Sequence, residues 1–213
     1  TLLIYEAGVV AALKKLSPNI LESASKVYGS SSGSLIATFG LCGCDIGRVL
    51  NITKDVLNHC LPPNAHQLVA GKLHIIVTRV RDCRSVTVSE FASKEELIQA
   101  LMCSCFIPLY FGLLPPMYRG VRYVDGEVGM WRASFVSRTT ITVSAFAGEY
   151  DICPRDCAAA FLTLQLSDCI LQISKRNFYR LMCIFYLPEF QVLEQYYACG
   201  YQDTVSFLKR LSK

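Results

Sequence analysis

The hydrophobic and polar positions of this chain predict short helices that alternate with strands. Apolar residues dominate Ala7 to Leu16, which predicts a helix that ends near Ser17-Pro18. Ser25 to Tyr28 has the composition of a short strand, and the uncharged stretch Ser34 to Leu41 is compatible with a helix. A run rich in β-branched residues, Leu73 to Val80, predicts a buried strand.

The alternation continues through the middle of the chain. Ser85 to Ser89 follows a predicted turn and is expected to pair with the strand before it. Ser93 and Glu96 have the spacing of a capping box, which opens the next helix. Tyr123-Val124 is predicted to be a short strand that ends at Asp125-Gly126.

The C-terminal third is predicted to be mostly helical. Thr139 to Ala145 is predicted as one more strand, whereas Phe178 to Leu187 and Pro188 to Leu211 are predicted as helices. Asp45 to Asn58 places its apolar residues on one helical face. Strands that alternate with helices indicate the α/β class with a mainly parallel central sheet.

Composition limits the class of protein. The chain has 213 residues and a mass of 23.7 kDa, and 52% of its residues are hydrophobic and 18% charged. These values fit one domain and exclude a disordered chain. The charge-free run Leu97 to Tyr118 is long enough to cross a bilayer, but Pro108, Gly112 and Pro115 interrupt it. We expect a buried helix followed by an irregular apolar segment, or a surface that contacts lipid.

Charge and cysteine content argue against two further classes. The formal net charge is +4, from 21 basic and 17 acidic residues, so no nucleic-acid partner is predicted. The 11 cysteines lie mostly in apolar contexts, which favours buried, reduced thiols in a cytosolic protein. No cysteine and histidine spacing typical of zinc occurs, so no metal site is predicted.

The clearest chemical signal is the segment Gly29-Ser30-Ser31-Ser32-Gly33. It fits the pattern G-x-S-x-G between a predicted strand and a predicted helix, which is the context of a nucleophile elbow. Gly29 and Gly33 lack a Cβ where backbones approach closely, and Ser30 and Ser32 are small. The turn would lift the Ser31 hydroxyl to a helix N-terminus, where the Ser32 amide can stabilise an oxyanion. The alternative interpretation is a serine-rich helix cap.

A nucleophilic serine needs a base, and the sequence favours a carboxylate. The three histidines, His59, His66 and His74, fit poorly with the order Ser, acid, His of α/β-hydrolases. Asp125 lies at the end of a predicted strand that could abut the Ser31 turn. Partial burial would raise the pKa of its carboxyl group. The alternative is an ordinary Asp-Gly turn.

Gly29 to Gly33 together with Val124-Asp125-Gly126 resemble the patatin-like phospholipase family. The resemblance covers nearly the whole chain and is similar in detail to the animal adiponutrin-type branch. Asp151 to Cys157 resembles a member of that branch that forms acylceramide. The resemblance is strongest in four blocks, Ser93 to Ile98, Cys103 to Pro108, Gly112 to Pro116 and Tyr118 to Gly126.

This resemblance implies a three-layer α/β/α sandwich, incomplete here, in one domain over residues 1–213 with C-terminal helices from about residue 174. It implies that Ser31 and Asp125 form a catalytic dyad that acts on long-chain acyl lipids such as triacylglycerol. The acyl group would pass from Ser31 to water or to a lipid hydroxyl. Phe106 to Leu114 would form an acyl-chain channel or pack in the core. No metal and no organic cofactor is implied, and the expected location is cytoplasmic, on lipid droplets or membranes.

Departures from the family pattern leave a second function open. The family's glycine-rich oxyanion loop would fall at and upstream of Thr1, and Leu3 stands where a small residue is expected. The chain as written is therefore expected to have little activity. Glu127 replaces the second glycine of Asp-Gly-Gly and adds a carboxylate beside Asp125. The alternative is a catalytically silent lipid-binding or regulatory protein on the same fold.

Overall fold

The structure is a computed structural model that describes residues 2–44, 53–129, 137, 139–156, 163–166, 169–186 and 188–212. The chain divides into two compact units. The sheet unit comprises residues 24–130, and the helical unit comprises residues 1–23 and 131–213. The expectation of one domain over residues 1–213 stays a prediction.

The described elements alternate between helix and strand, which confirms the α/β class. The helices are α1 (Leu2–Leu16), α2 (Pro18–Ser23), α3 (Ser32–Cys42), α4 (Lys54–Cys60), α5 (Ala65–Leu68), α6 (Lys94–Ser104), α7 (Lys175–Phe185) and α8 (Phe190–Leu211). The strands are β1 (Val27–Ser30), β2 (Leu73–Arg79), β3 (Arg84–Val88), β4 (Met117–Tyr118), β5 (Val121–Asp125), β6 (Thr163–Leu166) and β7 (Cys169–Gln172).

The sheet unit is built around β2. The predicted parallel pairing is found between β1 and β2, whereas β3 and β5 run antiparallel to β2, and β4 runs antiparallel to β5, so the described sheet is mixed. β3 occupies one edge of β2 from Ile75 to Arg79. β1 and β5 therefore share the other edge, where Ser30 lies opposite Ile76 and Asp125 lies opposite Val77. The C-terminal ends of β1 and β5 therefore face each other at the neighbouring residues Ile76 and Val77 of β2.

The predicted capping box opens α6. Ser93 Oγ accepts a hydrogen bond from the Glu96 N–H, and Glu96 Oε2 accepts one from the Ala92 N–H. The buried face of α6 includes Leu97, Leu101 and further apolar residues. Because α6 packs against β2 and β5, its C-terminal end reaches the place where β1 and β5 meet.

In the helical unit, α1 and α8 cross at two glycines. A Cβ at Gly8 would lie 2.1 Å from the Tyr197 carbonyl oxygen, and one at Gly200 would lie 2.1 Å from the Tyr5 carbonyl oxygen. Glycine at both positions therefore lets the two backbones touch. A core of six buried residues continues this contact: Tyr5, Val9, Leu13, Ala145, Ile152 and Phe207.

Several sequence predictions differ from the structure outside the sheet unit. The strand predicted at Thr139 to Ala145 is wrong, because that segment forms only an isolated bridge between Val143 and Ile152. The Asp151 carboxylate instead accepts hydrogen bonds from the Thr142 N–H and hydroxyl, each 2.8 Å long. The predicted C-terminal helices are confirmed as α7 and α8, but the β6–β7 hairpin was not predicted.

Two other expectations concern the length of elements. The amphipathic helix predicted at Asp45 to Asn58 corresponds in part to α4, while residues 45–52 lie outside the described residues. Among the helices that the structure describes, none is both long and apolar enough to cross a membrane.

Candidate active site

The predicted strand–turn–helix around Ser31 is present. β1 ends at Ser30, α3 begins at Ser32, and Ser31 is the N-cap of α3 with φ 51° and ψ −127°. A non-glycine residue with this positive φ is strained, at a typical cost of about 1–3 kcal/mol. Such strain persists only where surrounding contacts hold the residue in place, so the contacts of Ser31 decide how the turn is maintained.

Glycine at position 29 is required by close backbone approach. A Cβ there would lie 2.6 Å from the Gly33 carbonyl oxygen and 2.6 Å from the Ser34 nitrogen. Both atoms belong to the first turn of α3, so a side chain at position 29 would push the helix away from β1. This confirms the expectation that a small residue is needed where the strand meets the helix.

The structure brings Ser31 and Asp125 together. Asp125 is the last residue of β5, and its carboxylate accepts a hydrogen bond from the Glu127 N–H at 2.9 Å and lies close enough to the Ser31 side chain for that side chain to favour its charged form. The backbone N–H of Asp125 donates to the Phe106 carbonyl oxygen at 2.9 Å. These two hydrogen bonds therefore hold Asp125 in place near the Ser31 turn.

Glycine at position 126 permits this approach. A Cβ there would lie 2.4 Å from Ser30 Oγ and 2.7 Å from the Ile76 carbonyl oxygen. The buried Thr78 hydroxyl donates to the Gly126 carbonyl oxygen at 3.2 Å, which ties the residue to β2. The Asp-Gly pair is therefore packed against the serine turn.

Burial determines the pKa of the Asp125 carboxyl group, because this residue is only 3% exposed. Burial raises the pKa of the carboxyl group to about 6, against the opposing effect of the nearby Ser31 side chain and of the hydrogen bond from the Glu127 N–H. The nearby Glu127 charge adds to the increase in pKa. A carboxylate with a pKa near 6 is mostly ionised at neutral pH and is a stronger base than an exposed aspartate.

The helix start supplies backbone donors next to Ser31. Ser32 and Gly33 are the first two residues of α3, where N–H groups have no acceptor within the helix. The positive end of the helix dipole lies at the same place. The position of Ser32 therefore agrees with the oxyanion role predicted for its amide, which stays a prediction.

An apolar cavity of about 240 Å³ lies next to the end of α6. Cys105 and Phe106 line it, and the same two residues bind the Ser31 and Asp125 backbones. Leu113 and Leu114 are 83% and 70% exposed, so the predicted irregular apolar segment presents apolar side chains at the surface. The full lining consists of Met102, Cys105, Phe106, Phe111, Leu114 and Pro116.

Sequence reasoning missed the contacts that hold Ser31. The Ser31 N–H donates to Ser104 Oγ at 3.0 Å, and the Cys105 thiol donates to the Ser31 carbonyl oxygen at 3.3 Å. Ser104 is fully buried, and a serine at the end of an otherwise apolar helix face is the signal that could have found it.

The histidines have other surroundings. His59 and His66 lie on α4 and α5. The His74 ring lies 4.8 Å from the Tyr28 ring, and its Nδ1 is 3.0 Å from the Lys72 carbonyl oxygen. Within the described ranges, no group of three or more His, Cys, Asp or Glu side chains is arranged to hold a metal ion.

Known proteins are similar to this chain over almost its whole length. Omega-hydroxyceramide transacylase of Homo sapiens is 41% identical over 98% of this chain and 44% of its own length. The human 1-acylglycerol-3-phosphate O-acyltransferase PNPLA3 is 37% identical over 96% of this chain and 48% of its own length. Human patatin-like phospholipase domain-containing protein 2 is 36% identical over 97% of this chain and 46% of its own length.

No family model matches the chain. The chain spans a little less than half the length of these three relatives. All three are patatin-like phospholipase family members, and the identity is spread over nearly all of the present sequence. The chain therefore belongs to the patatin-like phospholipase family.

Proposed function

We propose that this chain is a serine-dependent acyl hydrolase or transacylase that acts on lipids. The observation that carries the proposal is a buried Asp125 carboxylate that lies close to the Ser31 side chain at a strand–helix turn. The names of the relatives, a transacylase, an acyltransferase and a phospholipase domain protein, support the same reaction class.

The proposed first half-reaction forms an acyl-enzyme. Ser31 Oγ attacks the ester carbonyl carbon while the Asp125 carboxylate accepts the hydroxyl proton. The negative charge that develops on the carbonyl oxygen is stabilised by the Ser32 N–H and the helix dipole. When the tetrahedral intermediate collapses, the C–O bond to the alcohol breaks, and the proton on Asp125 passes to the leaving oxygen.

The second half-reaction releases the acyl group. Water or a lipid hydroxyl gives its proton to Asp125 and attacks the acyl carbon, and the bond to Ser31 Oγ breaks. Asp125 then returns the proton to Ser31 Oγ. Two of the relatives are named as transferring acyl groups, which supports a lipid hydroxyl as one acceptor. The proposed chemistry needs neither a metal nor an organic cofactor.

The apolar cavity supports a long-chain acyl substrate. At about 240 Å³ it is smaller than the roughly 300–1,000 Å³ of typical ligand pockets, so it would hold part of an acyl chain. The exposed Leu109, Leu113 and Leu114 would cover the remainder or contact the lipid surface itself. We propose that the substrate is triacylglycerol or a related neutral acyl lipid.

We also propose that the protein works at the surface of cytoplasmic lipid droplets or membranes. In the helical unit, Phe178 is 64% exposed, Tyr186 is 73% exposed and Phe190 is 72% exposed. Exposed aromatic residues near Lys175 and Arg176 in the sequence are typical of a surface that binds at a membrane interface. These residues support a lipid surface as the partner.

The test uses a fluorophosphonate probe, which labels activated serines. The protein is measured as residues 1–213 and in an extended form with a glycine-rich segment joined before Thr1, because the resemblance implies oxyanion glycines there. We expect covalent labelling of Ser31 in the extended form, and turnover of long-chain acyl esters that Ser31→Ala abolishes. Equal turnover by Ser31→Ala would refute the proposal. Acyl-lipid binding without labelling of either form would instead favour the silent lipid-binding protein.

A further inference from the structure

The tripeptide Ser104-Cys105-Phe106, at the end of α6, touches both members of the proposed dyad. Ser104 Oγ accepts the Ser31 N–H at 3.0 Å, and the Cys105 thiol donates to the Ser31 carbonyl oxygen at 3.3 Å. The Phe106 carbonyl oxygen accepts the Asp125 N–H at 2.9 Å. Three consecutive residues thus bind the backbones of two residues that are far apart in sequence.

We propose that this tripeptide is the positioning element that sets Ser31 against Asp125, with Ser104 as its decisive side chain. The inference rests on the proposed function, since it concerns how Ser31 is kept in a reactive geometry. Ser31 has a strained positive φ, which needs external contacts to persist. Ser104 binds its N–H, and Cys105 binds its carbonyl oxygen, which also accepts hydrogen bonds from the Ser34 hydroxyl at 2.6 Å and the Ser34 N–H at 3.0 Å.

The Ser104 hydroxyl joins three elements. It accepts from Ser31 at the start of α3 and donates to the Ile76 carbonyl oxygen of β2 at 2.8 Å, while belonging to α6 itself. Ser104 is fully buried, so water is not at hand to replace these bonds. Replacement by alanine would leave a donor and an acceptor without partners, and Ser31 would relax from its strained conformation.

This arrangement also restricts the oxyanion donors. Because the Ser31 N–H donates to Ser104 Oγ, it is not available as an oxyanion donor. The donors that remain at the start of α3 are the N–H groups of Ser32 and Gly33. Ser104 thus directs the Ser31 amide into the protein and leaves the helix start to the substrate.

The experiment compares Ser104→Ala with Thr38→Ala. The Thr38 hydroxyl is also fully buried in the sheet unit, but it donates to the Ser34 carbonyl oxygen within α3 and is not a contact of Ser31. Both variants lose one buried hydroxyl, so they are matched for a general loss of stability. Amide hydrogen exchange at Ser31, fluorophosphonate labelling, and kcat and KM for an acyl ester are measured on the extended form.

We expect Ser104→Ala to lose about tenfold of the exchange protection at the Ser31 N–H. We expect its labelling rate and kcat to fall about 10- to 100-fold with little change in KM, because a small misplacement of a reacting group costs this much. Thr38→Ala should retain both. A folded Ser104→Ala that keeps the wild-type rate, or an equal loss in Thr38→Ala, would overturn the inference.

A second pair of variants covers the case in which Ser104→Ala does not fold. Cys105→Ser keeps a donor to the Ser31 carbonyl oxygen and should label faster than Cys105→Ala, and equal rates for the two would count against the positioning role. Failure of the wild-type protein to label at Ser31 would be a different result. It would refute the proposed function itself and, with it, the catalytic use of this contact.

Discussion

At the scale of single residues, the surroundings of Asp125 support the proposal that its carboxyl group acts as a base. Burial raises the pKa of the group to about 6, while the nearby Ser31 side chain and the Glu127 N–H limit the increase by stabilising the charged form. The same residue is the last one of β5, so the strand fixes where the carboxylate lies. At neutral pH the carboxylate is therefore a buried charge, which lowers the stability of the folded state.

This buried charge predicts that Asp125→Asn changes the free energy of unfolding. The carboxyl group has a higher pKa in the folded state than its usual value of 3.8, so the folded state binds the proton more tightly. The free energy of unfolding contributed by this group is therefore largest below about pH 4 and falls as the pH rises through about 6. The amide has no charge to bury, and we expect Asp125→Asn to be about 1–3 kcal/mol more stable than wild type at pH 7.5.

Urea unfolding at pH 3.5 and pH 7.5 measures this effect. The advantage of Asp125→Asn over wild type should be present at pH 7.5 and absent at pH 3.5. An advantage of the same size at both pH values would show that the charge of Asp125 is not its cause.

At the scale of elements, close packing of helices and strands decides which side chains are tolerated. The α1–α8 crossing depends on Gly8 and Gly200, just as the β1–α3 turn depends on Gly29. In each case the atom that a Cβ would meet belongs to backbone, which cannot rotate away as a side chain can. A larger residue at any of these three positions would therefore push the two packed elements apart.

The crossing predicts that Gly200→Ala destabilises the protein. Alanine normally favours a helix over glycine by about 1 kcal/mol, but here its Cβ would lie 2.1 Å from the Tyr5 carbonyl oxygen. The helices must separate, and overpacking of this kind typically costs about 1–3 kcal/mol. Thermal melting should show a lower midpoint, whereas Ser206→Ala, at an exposed position of α8, should change it little. A higher midpoint for Gly200→Ala would contradict the close approach.

The segment after α6 predicts a change of chain-length preference. Leu114 lines the apolar cavity at the end of α6 and is largely exposed, so Leu114→Trp should fill the cavity without disturbing the core. We expect the ratio of kcat/KM for a dodecanoyl ester to that for a butanoyl ester to fall about 3- to 10-fold, in line with the modest selectivity that apolar pockets provide. Leu113→Trp is the matched control, because Leu113 is 83% exposed and is not part of the lining. The same change in both variants would show that the cavity does not hold the acyl chain.

At the scale of the whole molecule, the sequence predicted those parts of the site that depend on local pattern. Gly29 to Gly33 and the Asp125-Gly126 pair were found because a turn and a strand end have local signatures. The contact between Ser31 and Ser104 joins residues 73 positions apart in sequence, and no local sequence pattern predicts it. The head-to-head meeting of β1 and β5 on one edge of β2 likewise depends on strand pairing that composition does not encode.

The same distinction explains the errors. Thr139 to Ala145 has the composition of a strand, but its Thr142 is bound by Asp151 and the segment has only the single bridge at Val143. Strand propensity describes how well a segment suits a sheet, and whether a partner strand is present is decided by the fold. The helices α7 and α8 were predicted correctly because their periodicity extends over many residues.

We propose that Ser31 is the nucleophile and that Asp125 is its base. The deciding measurement is the rate at which a fluorophosphonate labels Ser31 between pH 4.5 and pH 8, in wild type and in Asp125→Asn, each in the extended form. We expect a wild-type rate that is lost as the pH falls through about 6, where Asp125 becomes protonated, and a rate in Asp125→Asn that is at least about 100-fold lower at neutral pH. Labelling of Ser31 at the wild-type rate in Asp125→Asn, or a wild-type rate that does not change across this pH range, would contradict it.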